Sequence, residues 1–210
     1  MARARLSPER RRAEILAAAR KLIAEKGFAG MAVSDLVKTV GVAQGTFYWY
    51  FTSKEELLDA VTEEIVREVV EALEAVAGDH RLGAVEKLER MNEIFLAYVS
   101  REKAFLRDFH DPRNGRLHSS VNKEATKRLM PAVASVIRQG IAEGAFDTRY
   151  PQEAAGFIVA ATQAVTACGT YGQEESLTQR GAALMDFILK GLGFCADRSA
   201  GQTPYRAVRG

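Results

Sequence analysis

The residues best suited to chemistry lie between Gln44 and Lys54, in the run Q-G-T-F-Y-W-Y-F-T-S-K. Around a helix advancing about 100° per residue, Phe47, Tyr50 and Phe51 fall on one arc, and Gln44, Gly45, Tyr48 and Trp49 on the opposite one. The first arc is suited to burial. The second sets a Trp and a Tyr beside a Gln and a Gly, where a soluble helix ordinarily presents charge. A nucleic-acid groove accounts for that choice: a Gln amide reads a base edge, Gly permits close approach, rings lie against thymine methyls and sugars, and a Tyr hydroxyl reaches phosphate. Ser53 and Glu56 then have the S-x-x-E spacing of a capping box. A helix is expected to open there with Lys54 in its first turn, and its free N–H groups and the lysine suit a phosphate.

These side chains need a scaffold. From Ser34 to Val40 the apolar residues Leu36, Val37 and Val40 share one helical face, and Gly41 supplies the left-handed conformation that ends such a helix. Upstream, Ser7 caps a helix that begins at Pro8, carries Ile15, Ala19, Leu22 and Ile23 on one face, and is expected to stop at Gly27. Three short helices can bury one another's apolar faces where two cannot. Arg10, Arg11 and Arg12 either reach flanking phosphates and the adjacent minor groove or serve solubility alone. The charge is polarised in the same sense: residues 1–54 hold 10 Lys/Arg against 4 Asp/Glu, a net +6, and the remainder 19 against 23, a net −4. Phosphate binding needs positive charge to be local, and it falls on the segment with the exposed aromatics.

The run G-V-A-Q-G-T-F-Y-W-Y-F-T-S-K-E-E-L-L, with the Arg-rich helix before it, closely resembles the signature of the tetracycline-repressor (TetR) family of bacterial one-component regulators; the motif match covers about residues 10 to 60. The resemblance implies base contact by Gln44, Gly45 and Tyr48, methyl or phosphate contact by Trp49, and phosphate contact by Thr46, Tyr50 and Lys54. Members often carry Thr at the start of the second helix. This chain has Ala32 and Val33 there, leaving Ser34 as the nearby hydroxyl for a DNA contact.

The remaining sequence reads as further helices. From Ser53 to about Ala77 apolar residues recur at Leu57, Val61, Ile65 and Val69; Gly78, Asp79 and Gly83 mark a break. Ala84 to about Arg101 aligns Met91, Phe95 and Tyr98, followed by Phe105, Phe109 and His110. Stripes of this kind are ordinarily core, yet as a group these six are the candidates for contact with a small-molecule effector, apolar or aromatic in kind. Residues 111–115 read as a loop. A helix from about Ser119 to Glu143 is expected to bend at Pro131. The G-A-F-D-x-x-x-P-x-x-A-A arrangement from Gly144 to Ala155 is similar to one common in the ligand-binding halves of TetR-like proteins. Two final helices follow, the first rich in Ala (Ala154, Ala155, Ala161, Ala164, Ala167), the second with a stripe of Leu177, Gly181, Leu184, Met185, Ile188 and Leu192. That much apolar surface suits either the chain's own core or a homodimer through both helices, and a dimer would present two recognition helices to a palindromic operator.

Composition bounds the alternatives. A chain of 210 residues, 47% apolar and 27% charged, is ordinary for a globular protein. No apolar run approaches the roughly eighteen residues that span a bilayer, and the N-terminus lacks a signal-peptide hydrophobic region, so a cytoplasmic protein without a membrane partner is expected. Cys168 and Cys195 suggest neither a disulfide scaffold nor a zinc site, and the histidines at 80, 110 and 118 lack ligand spacing. No H-E-x-x-H, G-x-S-x-G, Walker A or G-x-G-x-x-G motif occurs, so no enzyme activity and no cofactor are expected. The expectation is an all-α protein: a helix-turn-helix DNA-binding domain over residues 1–52, an effector-binding and dimerisation domain over 53–195, and a disordered tail over 196–210. It would bind double-stranded DNA at an operator and release it on binding an effector. Non-specific nucleoid-type DNA binding, or ligand binding beside a vestigial head, are the other readings.

Overall fold

The computed structural model describes residues 7–110, 115–167 and 174–194, and no strand occurs among the described residues. By its internal contacts the chain forms two compact units, one of residues 1–67 and 102–121, the other of 68–101 and 122–210. The first unit thus takes in 53–67 and 102–121, which the sequence alone groups with the second domain. The tail 196–210, both cysteines and residues 111–114 of the expected loop lie outside the described residues. No described helix is long and apolar enough to cross a membrane.

The first unit begins with α1 (Pro8–Gly30), whose first turn is held by the Ser7 hydroxyl accepting from the Arg10 N–H at 3.3 Å. Its apolar face buries Ile15, Leu16, Ala19, Leu22 and Ile23. The regular helix stops at Gly27 as expected, and a short second segment continues from the kink. Gly27 takes φ 72°, ψ 164°, which breaks the hydrogen-bond ladder, and a further turn then runs to Gly30. α2 (Val33–Val40) buries Leu36, Val37 and Val40, and Gly41 ends it at φ 71°, where the Gly41 and Val42 N–H groups both return to the Val37 carbonyl. α3 (Gln44–Tyr50) follows after a short turn. α1 packs on α2, and α2 on α3.

α4 (Lys54–Gly78) contributes its first turns, with Leu57, Leu58, Val61 and Ile65 buried, to the first unit and its remainder to the second. α6 (Lys103–Phe109) is a separate helix that the sequence pattern does not announce. It is parted from α5 (Ala84–Arg101) by Glu102, at φ −101°, ψ 24°, and packs on α1 with Phe105, Leu106 and Phe109 buried. An Arg20–Glu102 ion pair at 2.6 Å, its carboxylate buried, joins the same two elements.

The second unit holds the later part of α4, α5, most of α7 (Gly115–Ala142), α8 (Pro151–Ala167) and α9 (Glu174–Gly191). α7 starts four residues earlier than the expected Ser119. The core comprises Leu73, Leu88, Met91, Val133, Ile137, Phe146, Val159, Leu184 and Ile188, among others. The stripe on α9 faces this core: Gly181, Leu184, Met185, Ile188 and Leu192 are buried by the chain itself, with Gly181 letting Leu96 approach. What α8 and α9 leave exposed is instead Phe157 and Phe187, at 72% and 66%.

Two local devices close the unit. Buried Lys87 donates to the Ala77 carbonyl at 2.8 Å and to Gln139 Oε1 at 2.7 Å. Gln139 Nε2 in turn donates to the Leu82 carbonyl, and Glu143 Oε2 accepts from the Ala84 N–H at 2.9 Å. The carbonyl at the end of α4 and the N–H at the start of α5 are thereby satisfied, as buried backbone groups must be. The second device is steric. A Cβ on Gly140 would stand 2.1 Å from the ring of buried Phe146, so only glycine admits that ring. Gly140→Ala is expected to lower stability by about 1–3 kcal/mol through overpacking. Chemical denaturation reads this directly, and an unchanged midpoint would mean that the ring has room to turn aside.

Candidate nucleic-acid interface

α3 is a two-faced helix. Phe47 is wholly buried, and Phe51, extended at φ −140°, ends the helix and is buried beside it with ring centroids 5.8 Å apart. The opposite side carries Tyr48 at 53% and Trp49 at 69% exposure, with Gln44 and Gly45 also exposed. The exposed rings are not loose. Tyr48 stands edge-on to Phe47 at 5.2 Å, and Trp49 edge-on to half-buried Tyr50 at 4.6 Å, geometries that aromatic quadrupoles favour. No heavy atom lies within 4 Å of a Cβ built on Gly45, so the helix surface is open there. Thr46 is half-buried, and Ser34 is exposed on α2, whose N-cap Ala32 makes no side-chain hydrogen bond.

The turn after α3 is fixed by a displaced capping box. Ser53 Oγ accepts from the Glu56 N–H at 3.0 Å, and the Glu56 carboxylate accepts from the Thr52 N–H and hydroxyl, each at 2.6 Å. The Thr52 hydroxyl, then its N–H, and more weakly the Arg12 charge hold the Glu56 carboxyl below its ordinary range against a small opposing effect of burial. Lys54 is equally constrained. Its ammonium donates to the Ala29 carbonyl at 3.3 Å and lies 4.5 Å from the centre of the Phe28 ring, leaving further N–H donors directed elsewhere. Just before the kink in α1, Lys26 bonds Asp35 at 2.8 Å, tying α1 to α2. Of the arginines at the start of α1, Arg11 pairs with Glu14 at 2.6 Å and Arg12 lies over the Phe51 ring at 5.2 Å. Both have partners within the head.

The six effector candidates are divided between the two units. Met91 belongs to the core of the second unit, with Phe95 and Tyr98 buried on the same helix. Phe105, Phe109 and His110 belong to the first unit, where Phe105 and Phe109 stack at 5.6 Å. His110 and Phe109 each contact His118, which spacing alone did not single out, at 4.8 Å between ring centres. Sequence reasoning also missed Glu102 and Asp108, which bind α6 to α1. Their partners lie about eighty residues away, so no local pattern could reveal them. Among the described residues no group of three or more His, Cys, Asp or Glu side chains could hold a metal ion.

An all-helical chain whose N-terminal unit sets a short two-faced helix after a glycine-ended one is a helix-turn-helix protein. The family model "Bacterial regulatory proteins, tetR family" matches residues 15–61, and "Tetracyclin repressor-like, C-terminal domain" matches residues 97–167. The HTH-type transcriptional repressor KstR2 of Mycobacterium tuberculosis is 30% identical over 143 residues, covering 65% of this chain and 69% of that protein. The uncharacterized HTH-type transcriptional regulator YvdT of Bacillus subtilis is 43% identical over 60 residues, 29% of this chain and 31% of its own length. Two further curated relatives, the fatty acid metabolism regulator protein of Bacillus subtilis and EthR of Mycolicibacterium smegmatis, are spanned over 61% and 30% of their lengths. Among solved structures, a TetR-family transcriptional regulator from Pectobacterium atrosepticum superposes with a TM-score of 0.66 at 26% identity, covering 90% of this chain and 97% of that one. The chain belongs to the TetR family of bacterial transcriptional regulators.

Burial, and secondarily the nearby His118, lowers the His110 pKa from 6.5 to about 4. The folded state therefore keeps His110 neutral while the unfolded chain protonates it near 6.5, so its contribution to stability is complete above that pH and is lost as pH falls toward 4. The unfolding temperature is expected to drop over that window, and His110→Gln to remove part of the drop. A variant with the same pH profile as the natural protein would contradict the assignment.

Proposed function

We propose that the protein binds a palindromic DNA operator through α3 of two copies and acts as a repressor released by a small-molecule effector. The observation that carries this reading is the exposure of Tyr48 and Trp49 on a helix whose other face is locked down by Phe47. In this arrangement Gln44 reads a base edge, Gly45 allows the helix to sit deep in the major groove, and Tyr48 and Trp49 contact methyls and sugars. Thr46, Tyr50, Lys54 and Ser34 reach the phosphates that fix the register. The exposed Phe157 and Phe187 support pairing of two copies through α8 and α9, because large apolar side chains on a free surface call for cover. Met91, Phe95 and Tyr98 are the effector contacts proposed in the second unit, and the ligand class they suit is apolar or aromatic. Such a ligand acts only through its different affinity for the DNA-competent and incompetent states; a coupling of about 1–3 kcal/mol changes DNA affinity roughly 5- to 150-fold.

Selection on random duplexes followed by competition tests the reading. The selected site is expected to win over random DNA by about 10³-fold or more, whereas a non-specific nucleoid-type binder would show steep salt dependence without preference, and a vestigial head no binding. Gly45→Ala sharpens the test. It replaces glycine in a helix at a position with open space, so thermal stability should hold or rise, while operator affinity should fall because the new methyl meets the bases. Unchanged affinity would remove α3 from the groove.

A further inference from the structure

α6 lies within the stretch matched by the C-terminal family model, yet its contacts place it in the first unit, against α1. One of its side chains meets α1 where that helix is broken. Gly27, at φ 72°, interrupts the ladder, so the Phe28 N–H begins a new turn without the usual helical acceptor. Asp108 Oδ2 takes that N–H at 2.5 Å. The same turn holds Lys54 by two contacts, the Phe28 ring beneath its ammonium and the Ala29 carbonyl accepting from it. Lys54 is the first residue of α4 and follows α3 after only three residues. A continuous path of named contacts therefore runs from a carboxylate on α6, through the kink in α1, to the first cation that follows the recognition helix in sequence.

We propose that Asp108 is a positioning residue for DNA binding: by fixing the Gly27–Phe28 kink it sets where the Lys54 ammonium stands for a backbone phosphate. This rests on the reading of α3 and Lys54 as the DNA-contacting surface. It adds that phosphate contact depends on the placement of α6, whose residues are far from the recognition helix in sequence. Gly27 is part of the device, because a left-handed residue is what frees the N–H, and Asp108 oxygens lie 3.4 and 3.9 Å from where its Cβ would be.

The test measures affinity for operator and for random duplex across a salt series, using the natural protein, Asp108→Ala, Asp108→Asn, Lys54→Ala and the Asp108→Ala/Lys54→Ala double variant, with thermal unfolding of each. Asp108→Ala is expected to weaken both duplexes alike by roughly tenfold, the size of one charge-assisted hydrogen bond. It should also reduce the slope of log affinity against log salt by about one, as loss of one phosphate contact does. Lys54→Ala should do the same, the double variant should be no weaker than either single one, and Asp108→Asn, which keeps an oxygen for the Phe28 N–H, should restore binding. Full affinity and slope in Asp108→Ala, or losses that add in the double variant, would overturn the proposal. A role in stability alone would move the melting temperature and leave the salt slope intact, which also counts against it. If Asp108→Ala does not fold, Phe28→Leu, which removes the ring under Lys54 but keeps the backbone bond, is judged by the same criteria. Failure of the natural protein to bind any duplex would instead refute the underlying reading of α3, a result separable from all of these.

Discussion

Burial of Phe47 is the constraint on which the candidate interface depends. A fully buried Phe side chain stabilises by roughly 1.5–3 kcal/mol, enough to fix the rotation of so short a helix about its own axis. Once Phe47 and Phe51 are inside, helical geometry leaves Tyr48 and Trp49 no choice but the outside. Tyr48 resting edge-on to Phe47, and Trp49 to Tyr50, then order the exposed rings before any partner arrives. Side chains held in place beforehand lose less entropy on association.

The same economy of placement extends to the charges. Several cations of the basic head are tied to its own structure: Arg11 to Glu14, Arg12 to the Phe51 ring, Lys26 to Asp35, and Lys54 to Ala29 and Phe28. Exposed ion pairs of this kind add little stability. Lys54 differs from Arg11 and Lys26 because it is held by a neutral carbonyl and a ring instead of a carboxylate. Its full positive charge remains available at a fixed place, and this suits a cation that must meet phosphate without rearranging.

Much of this was legible along the chain because it depends on local rules. The Ser7 cap, Pro8 at the first turn, the left-handed Gly41 and the division of α3 into two arcs all follow from residues within a few positions of one another. Where the reading departed from the structure, a contact distant in sequence decided. Gly27 breaks α1 as its residue type suggests, but the turn that restarts after it is unannounced, because the carboxylate that takes its first N–H lies eighty residues on. α6 escaped notice because neither Gly nor Pro marks its start, and Glu102 is bent and buried to meet Arg20. The apolar stripe of α9 suggested a surface in need of cover; its periodicity was read correctly, but which neighbour covers it is a tertiary fact, and that neighbour is the chain's own core. The effector candidates follow from helical spacing and residue type, and neither can tell that α5 and α6 belong to different units.

The central claim is that the outer face of α3 meets the bases, and Trp49, the only tryptophan of the chain, reports on it directly. Its fluorescence, measured with acrylamide as quencher during titration with a selected operator duplex, should start as that of an open, strongly quenched indole. It should become protected from quencher as binding saturates. An indole that stays equally accessible on a saturated complex would place some other surface on the DNA and contradict the account.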